Sequence, residues 1–408
     1  MNGSTFPAPR PMAVAFAGLV ALAVAMGIGR FAFTPLLPLM LAERSLDLSG
    51  ASLLASANYF GYLLGALACT FQPWFARRLG WSVQVNGPAL VRRGLVATAL
   101  LTLGMALHLP ALWPWLRFAA GVASAVVFLY TTGWCLEQLG RQQRPEMGAL
   151  IYTGPGAGIV ASGLVATVLL ALHVPAMAGW LAFGALAALL TALVWKILDP
   201  RMAMTATPAA ATVAAPAQQV GTLPEVSLLT VAYGIAGLGY IITATFLPVI
   251  ARQALPGSPW LDLFWPLFGL AVIAGALLAS RIRRAGDLRM RLAACYAIQA
   301  AGVAASLVSP TLAGFAIGSL LLGLPFTAIT FFGMQEARRL RPAGPTSLMG
   351  AMTAAYGLGQ IAGPPLAAWL VARATHAAAG FELSLWIASG SLALGAAIYL
   401  GLARRYPV

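Results

Sequence analysis

The sequence predicts an all-α membrane protein of about twelve transmembrane helices in two pseudo-symmetric six-helix halves, and three observations carry that prediction. Hydrophobic residues make up 60% of the 408 residues and charged residues only 8%, whereas roughly a quarter of a soluble globule is charged. The apolar residues fall into runs of about 20, the length that crosses a hydrocarbon core ~30 Å thick. A stretch near the start is also written again near the middle: Gly27-Ile-Gly-Arg-Phe-Ala-Phe-Thr-Pro-Leu-Leu-Pro38 returns as Gly237-Leu-Gly-Tyr-Ile-Ile-Thr-Ala-Thr-Phe-Leu-Pro248.

Taken in order, the runs centre near residues 27, 61, 99, 124, 160, 187, 239, 271, 300, 323, 360 and 393. The first extends from Met12 to Leu41, well past the short apolar region of a secretory signal, so it is expected to be kept as the first span. Its Pro35 and Pro38 let the helix bend, and its Gly27 and Gly29 let neighbours approach. An even number of spans puts both termini on one side of the membrane.

Basic residues say which side. Assigned to the loops after even-numbered spans and to the two tails are 19 Arg and Lys residues, against Arg44, Arg252 and Arg373 in the other loops. That bias places both termini in the cytoplasm of a bacterial-type inner membrane. The formal charge of +14 therefore faces an anionic leaflet, and nucleic acid is not an expected partner. Cys69, Cys135 and Cys295 lie in apolar runs without metal-type spacing and read as reduced packing residues.

Residues 201–224, rich in Ala, Thr, Pro and Gln, read as a cytoplasmic linker between a first half, 1–200, and a second, 225–408. The repeat runs on through both. Gly65-Ala-Leu67 recurs at Gly275-Ala-Leu277, and Met147-Gly-Ala149 at Met349-Gly-Ala351, each in the matching span. Paired halves of this kind are the parallel-repeat plan of transporters that rock around a midplane site.

Three local patterns resemble the major facilitator superfamily, over nearly the whole chain. They are Arg117-Phe-Ala-Ala-Gly121 in the fourth span, Gly154-Pro155-Gly-Ala-Gly158 in the fifth, and Gly359-x-x-x-Gly363-Pro364 in the eleventh. The opening stretch is similar to the start of the YbfB-type branch. The resemblance implies alternating access, with the arginine of the first pattern implicated in coupling and the Gly and Pro residues of the other two serving as gating or hinge positions. The family's loop after the second span usually carries an Asp that latches one conformation; here Arg77, Arg78 and Gly80 are present without it.

The chemistry is concentrated in two arginines. Arg30 and Arg117 are the only basic residues expected deep in a span, while all ten acids fall at span ends or in loops. A guanidinium in hydrocarbon costs several kcal/mol unless something offsets it. Arg30 could bond to helix carbonyls freed by Pro35 and Pro38, and Arg117 could snorkel to the outer interface. The sharper reading is an excess of positive charge that receives an anion, since the guanidinium fork matches a carboxylate or phosphate. Tyr240 stands where the repeat puts Arg30 and is expected opposite it, with Arg117, Tyr152 and Tyr356 as further solute contacts. Trp113, Trp115, Trp180 and Trp260 read as an interfacial belt, and His108, His173 and His376 as outer-surface residues.

No nucleotide loop, metal cluster or nucleophile with a base appears, so the expectation is a transporter and not an enzyme, with no cofactor. The expected partners are a small solute, with organic anions as the leading class, and membrane lipids around a monomer. Efflux of neutral or amphipathic drug-like compounds is the alternative, followed by a non-transporting sensor or scaffold.

Overall fold

The structure, a computed structural model, describes residues 9–80, 85–203, 221–258, 260–282, 286–342 and 345–407. Most of the expected 201–224 linker lies outside the described residues. Twelve helical spans follow one another without strands among the described residues. Spans one to six are Pro11–Ala42, Leu48–Arg78, Gly87–Gly104, Pro110–Arg141, Pro145–Ala171 and Ala176–Val194. Spans seven to twelve are Leu223–Ala254, Leu261–Arg281, Leu288–Val308, Leu312–Leu340, Pro345–Arg373 and Ala377–Arg405. Ten are long and apolar enough to cross a membrane. Span three falls short because it carries Arg92 and Arg93, and span eleven because Gly359, Gln360, Gly363 and Pro364 dilute its apolar run.

Spans one and seven lie at the centre. In their apolar stretches 78% and 83% of residues are buried inside the protein, against 39–56% for the other eight qualifying spans. They meet each other where Thr34 donates to the Ala244 carbonyl at 3.0 Å. These two positions are separated by the 210 residues that separate the repeats, so the pseudo-twofold axis passes through this contact. The halves also pack span two on eleven and span five on eight. On the latter seam a Cβ on Gly156 would stand 2.7 Å from the Gly269 carbonyl oxygen.

Hydrogen bonds crossing between the halves lie at the level of Arg30 or beyond it, toward the end away from the termini. Among the described residues they join Arg30 to Gln360, Thr34 to Ala244, Ser56 to Ile361, Tyr59 to Thr245, and Thr167 to the Asp262 carbonyl.

Span one is not a single rod. Helix Pro11–Leu22 widens into a π-turn over Ala23–Ile28, passes through turns at residues 29–32 and restarts as Phe33–Ala42. Pro35 supplies the reason: it has no N–H, and its ring collides with the carbonyl four residues earlier. The Thr34 N–H tightens onto the Phe31 carbonyl at 3.2 Å, while the Gly29 and Phe31 N–H groups reach back five residues to Val24 and Met26. Carbonyls are thereby left over in the middle of the protein.

Several sequence expectations change in this frame. Trp180 and Trp113 do not join an interfacial belt: Trp180 is buried and stacks on Phe33, and buried Trp113 donates to the Leu107 carbonyl. Trp115 and Trp260 are exposed, as such a belt requires. Arg289, expected in a loop, is 0% exposed in the first turn of span nine. It ion-pairs with Glu225 at 3.2 Å and Asp287 at 2.8 Å, and donates to the Leu402 and Tyr406 carbonyls. Arg339 closes the cluster onto Glu336 at 2.6 Å. Three spans and the C-terminal tail are thus tied to span nine at the end carrying the termini.

Candidate solute-binding site between the halves

Arg117 is where span one's leftover carbonyls are satisfied. Span four comes close to span two because Gly121 has no side chain: a Cβ there would sit 2.0 Å from the Asn58 carbonyl oxygen. Asn58 in turn donates to the Arg117 carbonyl at 2.9 Å. From that position Arg117 Nη1 donates to the Gly29 carbonyl at 3.1 Å and Nη2 to the Arg30 carbonyl at 2.9 Å. Ser124, two turns further on the same face, donates to the Ala25 carbonyl at 2.7 Å. Arg117 is 3% exposed, so it does not snorkel, and the Arg-x-x-x-Gly pattern reads as a strut with the glycine that lets it reach.

Because Arg117 occupies those carbonyls, Arg30 is not drawn back onto its own helix. The expectation that Arg30 itself caps them is corrected accordingly. Arg30 is 4% exposed. Its Nη2 donates to Gln360 Oε1 at 2.8 Å, and the Gln360 amide nitrogen donates to the Tyr240 hydroxyl in a short contact. One carboxamide from span eleven therefore bridges the two repeat-related residues, Arg30 of span one and Tyr240 of span seven.

Aromatic rings line this bridge. The Arg30 guanidinium carbon is 4.1 Å from the Tyr62 ring centroid, 5.3 Å from Tyr59 and 5.4 Å from Phe31. Each such contact contributes about 0.5–2 kcal/mol, the upper value when water is excluded. Tyr240 stacks on Tyr356 at 5.8 Å and meets Phe326 edge-on at 5.2 Å, while Tyr233 packs tilted against Tyr356 at 5.2 Å. Among the described residues no carboxylate pairs with Arg30, and its Nε is buried without a hydrogen-bond partner.

Tyr240 and Tyr356 thus stand beside Arg30 as one cluster. Tyr152 does not join it: half-buried at the break in span five, it makes no hydrogen bond or ring contact with those three. Gly154 and Gly158 press span five onto span one, where added Cβ atoms would meet the Leu19 and Ala23 carbonyl oxygens, each at 2.3 Å. Pro155 lies in the first turn of the helix that restarts at Gly154. In the other half Gly359 faces the Gly234 carbonyl and Gly363 faces Ile241, while Pro364 sits within span eleven. Both motifs therefore press against the first span of their own half, and Gly156, inside the first motif, also faces Gly269 of the other half.

Sequence reasoning singled out none of Gln360, Tyr59 and Tyr62. The available signal was that Gln360 directly follows Gly359, on the span matched to the fifth. It also missed the convergence of Glu225, Asp287, Glu336, Arg289 and Arg339, because residues scattered over 115 positions carry no local spacing. At Asp287, which caps span nine outside the membrane, burial opposes ionisation, yet hydrogen bonds from Arg289 outweigh it and hold the carboxyl below its ordinary value.

No curated protein sequence matches the chain. Among solved structures, the nucleoside transporter NupG superposes with a TM-score of 0.70 at 15% identity, covering 96% of this chain and 99% of that one. At that identity the likeness bears on the fold. A family model described as the uncharacterised MFS-type transporter YbfB matches residues 22–400. Fold, repeat and family match agree, and the chain belongs to this MFS-type transporter family.

Proposed function

We propose that the protein moves a small organic anion across the membrane by alternating access, with Arg30 as the anion-facing group and Tyr240 and Tyr356 beside it. The observation that carries the reading is the unequal use of two buried guanidiniums. Arg117 is occupied by backbone carbonyls, whereas Arg30 meets one neutral amide and aromatic rings, with no acid against it. A buried charge compensated that weakly favours an arriving anion. The Gly154–Gly158 and Gly359–Pro364 motifs serve as the tight pivots on which each half keeps its first span while the halves rock. Arg117 acts here as a positioning residue, and Tyr152 has the weakest support of the proposed solute contacts.

The halves are hydrogen-bonded at and beyond Arg30, so rocking would open or close the path toward the end carrying the termini. With cytoplasmic termini at a bacterial inner membrane, that end faces inward. Proteoliposomes tested for uptake and exchange of organic anions, with and without a pH gradient, check the reading. Saturable exchange lost in Arg30→Gln supports it. Transport of neutral compounds alone, unchanged in Arg30→Gln, favours drug efflux instead.

A further inference from the structure

We propose that the solute is a monocarboxylate with a flat, aromatic body, and that it binds by displacing the Gln360 side chain. This rests on the reading of Arg30 as the anion-facing residue. A carboxamide and a carboxylate share the same planar three-atom head, and the Gln360 head lies between Arg30 and Tyr240. As seated it gives Arg30 a single acceptor, at Nη2, and leaves Nε buried and unpartnered. A carboxylate presents two oxygens along the edge that joins Nε to Nη2, and so satisfies both. The Tyr240 hydroxyl, which accepts from Gln360, turns to donate to a carboxylate.

Charge counting narrows the class. The described residues offer no carboxylate beside Arg30 to receive an ammonium, which disfavours an amino acid. The next guanidinium, Arg117, already donates twice to backbone carbonyls, which disfavours a dianion. The body of the ligand would meet Tyr62, Tyr59, Tyr356 and Phe326, whose rings favour another flat ring over a puckered one of equal size.

Displacement also gives binding a mechanical consequence. Gln360 of span eleven is bonded to Arg30 of the opposite half, so a carboxylate that takes its place releases one tie between the halves. Gln360 is then an internal competitor, and its removal strengthens binding. An ordinary ligand-contacting residue would show the reverse.

The test is calorimetric titration of purified protein in nanodiscs with benzoate, 2-naphthoate, cyclohexanecarboxylate and benzamide. It compares wild type, Arg30→Gln and Gln360→Leu, each shown to melt cooperatively. The aromatic acids should bind wild type, cyclohexanecarboxylate about fivefold more weakly and benzamide at least about tenfold more weakly, as expected from ring contacts and one charge-assisted bond. Gln360→Leu should bind benzoate more tightly, and Gln360→Glu, which carries its own carboxylate, should bind it more weakly while melting higher. Equal binding of cyclohexanecarboxylate and benzoate, both lost in Arg30→Gln, overturns the aromatic class and leaves the anion reading standing. Binding of benzamide as tight as benzoate, indifferent to Arg30→Gln, overturns the anion reading. Weaker benzoate binding in Gln360→Leu overturns displacement, and no binding of either aromatic acid at millimolar concentration overturns the inference.

Discussion

Spans one and seven carry the same pattern 210 positions apart, yet span one is broken at its middle and span seven runs as one helix from Leu223 to Ala254. Both end the pattern in Leu-Pro. Among the positions where the copies differ, the one that bears on the break is Pro35 in the first copy, Thr245 in the second. Thr245 keeps its N–H and uses its hydroxyl against Tyr59 across the interface. Pro35 forces the preceding turns open, and the carbonyls released there are met by Arg117 and Ser124 from span four. A single proline thus accounts for one buried arginine and, by occupying that arginine, leaves the other available.

The largest effect should come from removing the strut. Arg117→Leu leaves two buried carbonyls unmet and should destabilise the fold by about 2–5 kcal/mol, read as a large fall in melting temperature in detergent. Placing proline where the second copy lacks it should be nearly as damaging. Thr245→Pro should cost about 3 kcal/mol or more, since it breaks one continuous helix and, among the described residues, no arginine bonds to the carbonyls there. A Thr245→Pro protein as stable as wild type would show that span seven tolerates the break unaided.

A double-mutant cycle sharpens the comparison. Pro35→Ala restores an N–H that can bond to the Phe31 carbonyl and lets the helix continue, so Arg117→Leu should cost less in that background. A coupling of about 1 kcal/mol or more is expected for groups sharing one network. Additive effects would separate Pro35 from the work of Arg117.

Smaller still is the acid response of the cluster at span nine. Arg289 depresses the Asp287 carboxyl in the folded protein. The stability it contributes is complete above the ordinary carboxylate value and is lost as pH falls through the depressed one. Asp287→Asn should therefore lower the melting temperature at neutral pH and flatten its decline below about pH 4, where the wild-type carboxylate no longer contributes. An unchanged acid slope would assign that decline to other carboxylates.

Most of the fold was legible because it follows from composition and periodicity. Long apolar runs can only be spans, and a repeated glycine pattern can only survive where helices touch, as Gly27 does on Gly158, where an added Cβ would approach the facing Cα to 2.3 Å. The site was half legible. Arg30 and Tyr240 could be paired because the repeat puts them in register. Gln360, which joins them, comes from a third span, and no periodicity links it to position 30. The role of Arg117 was hidden for a related reason: distance from a span end suggests snorkelling, and only the break in span one gives that side chain inward acceptors. Trp180 misled in the same way, because proximity to a span end says nothing about which face meets Phe33.

The division of labour between the two arginines is tested most directly in Arg30→Gln protein, with melting temperature and benzoate affinity measured on the same preparation. The account predicts a melting temperature within a few degrees of wild type, because the strut is untouched, and an affinity at least about tenfold lower, because a charge-assisted fork is lost. Equal affinity, or loss of the folded state with no folded fraction left to bind, would contradict it: Arg30 would then be structural, and the anion would have to be met elsewhere.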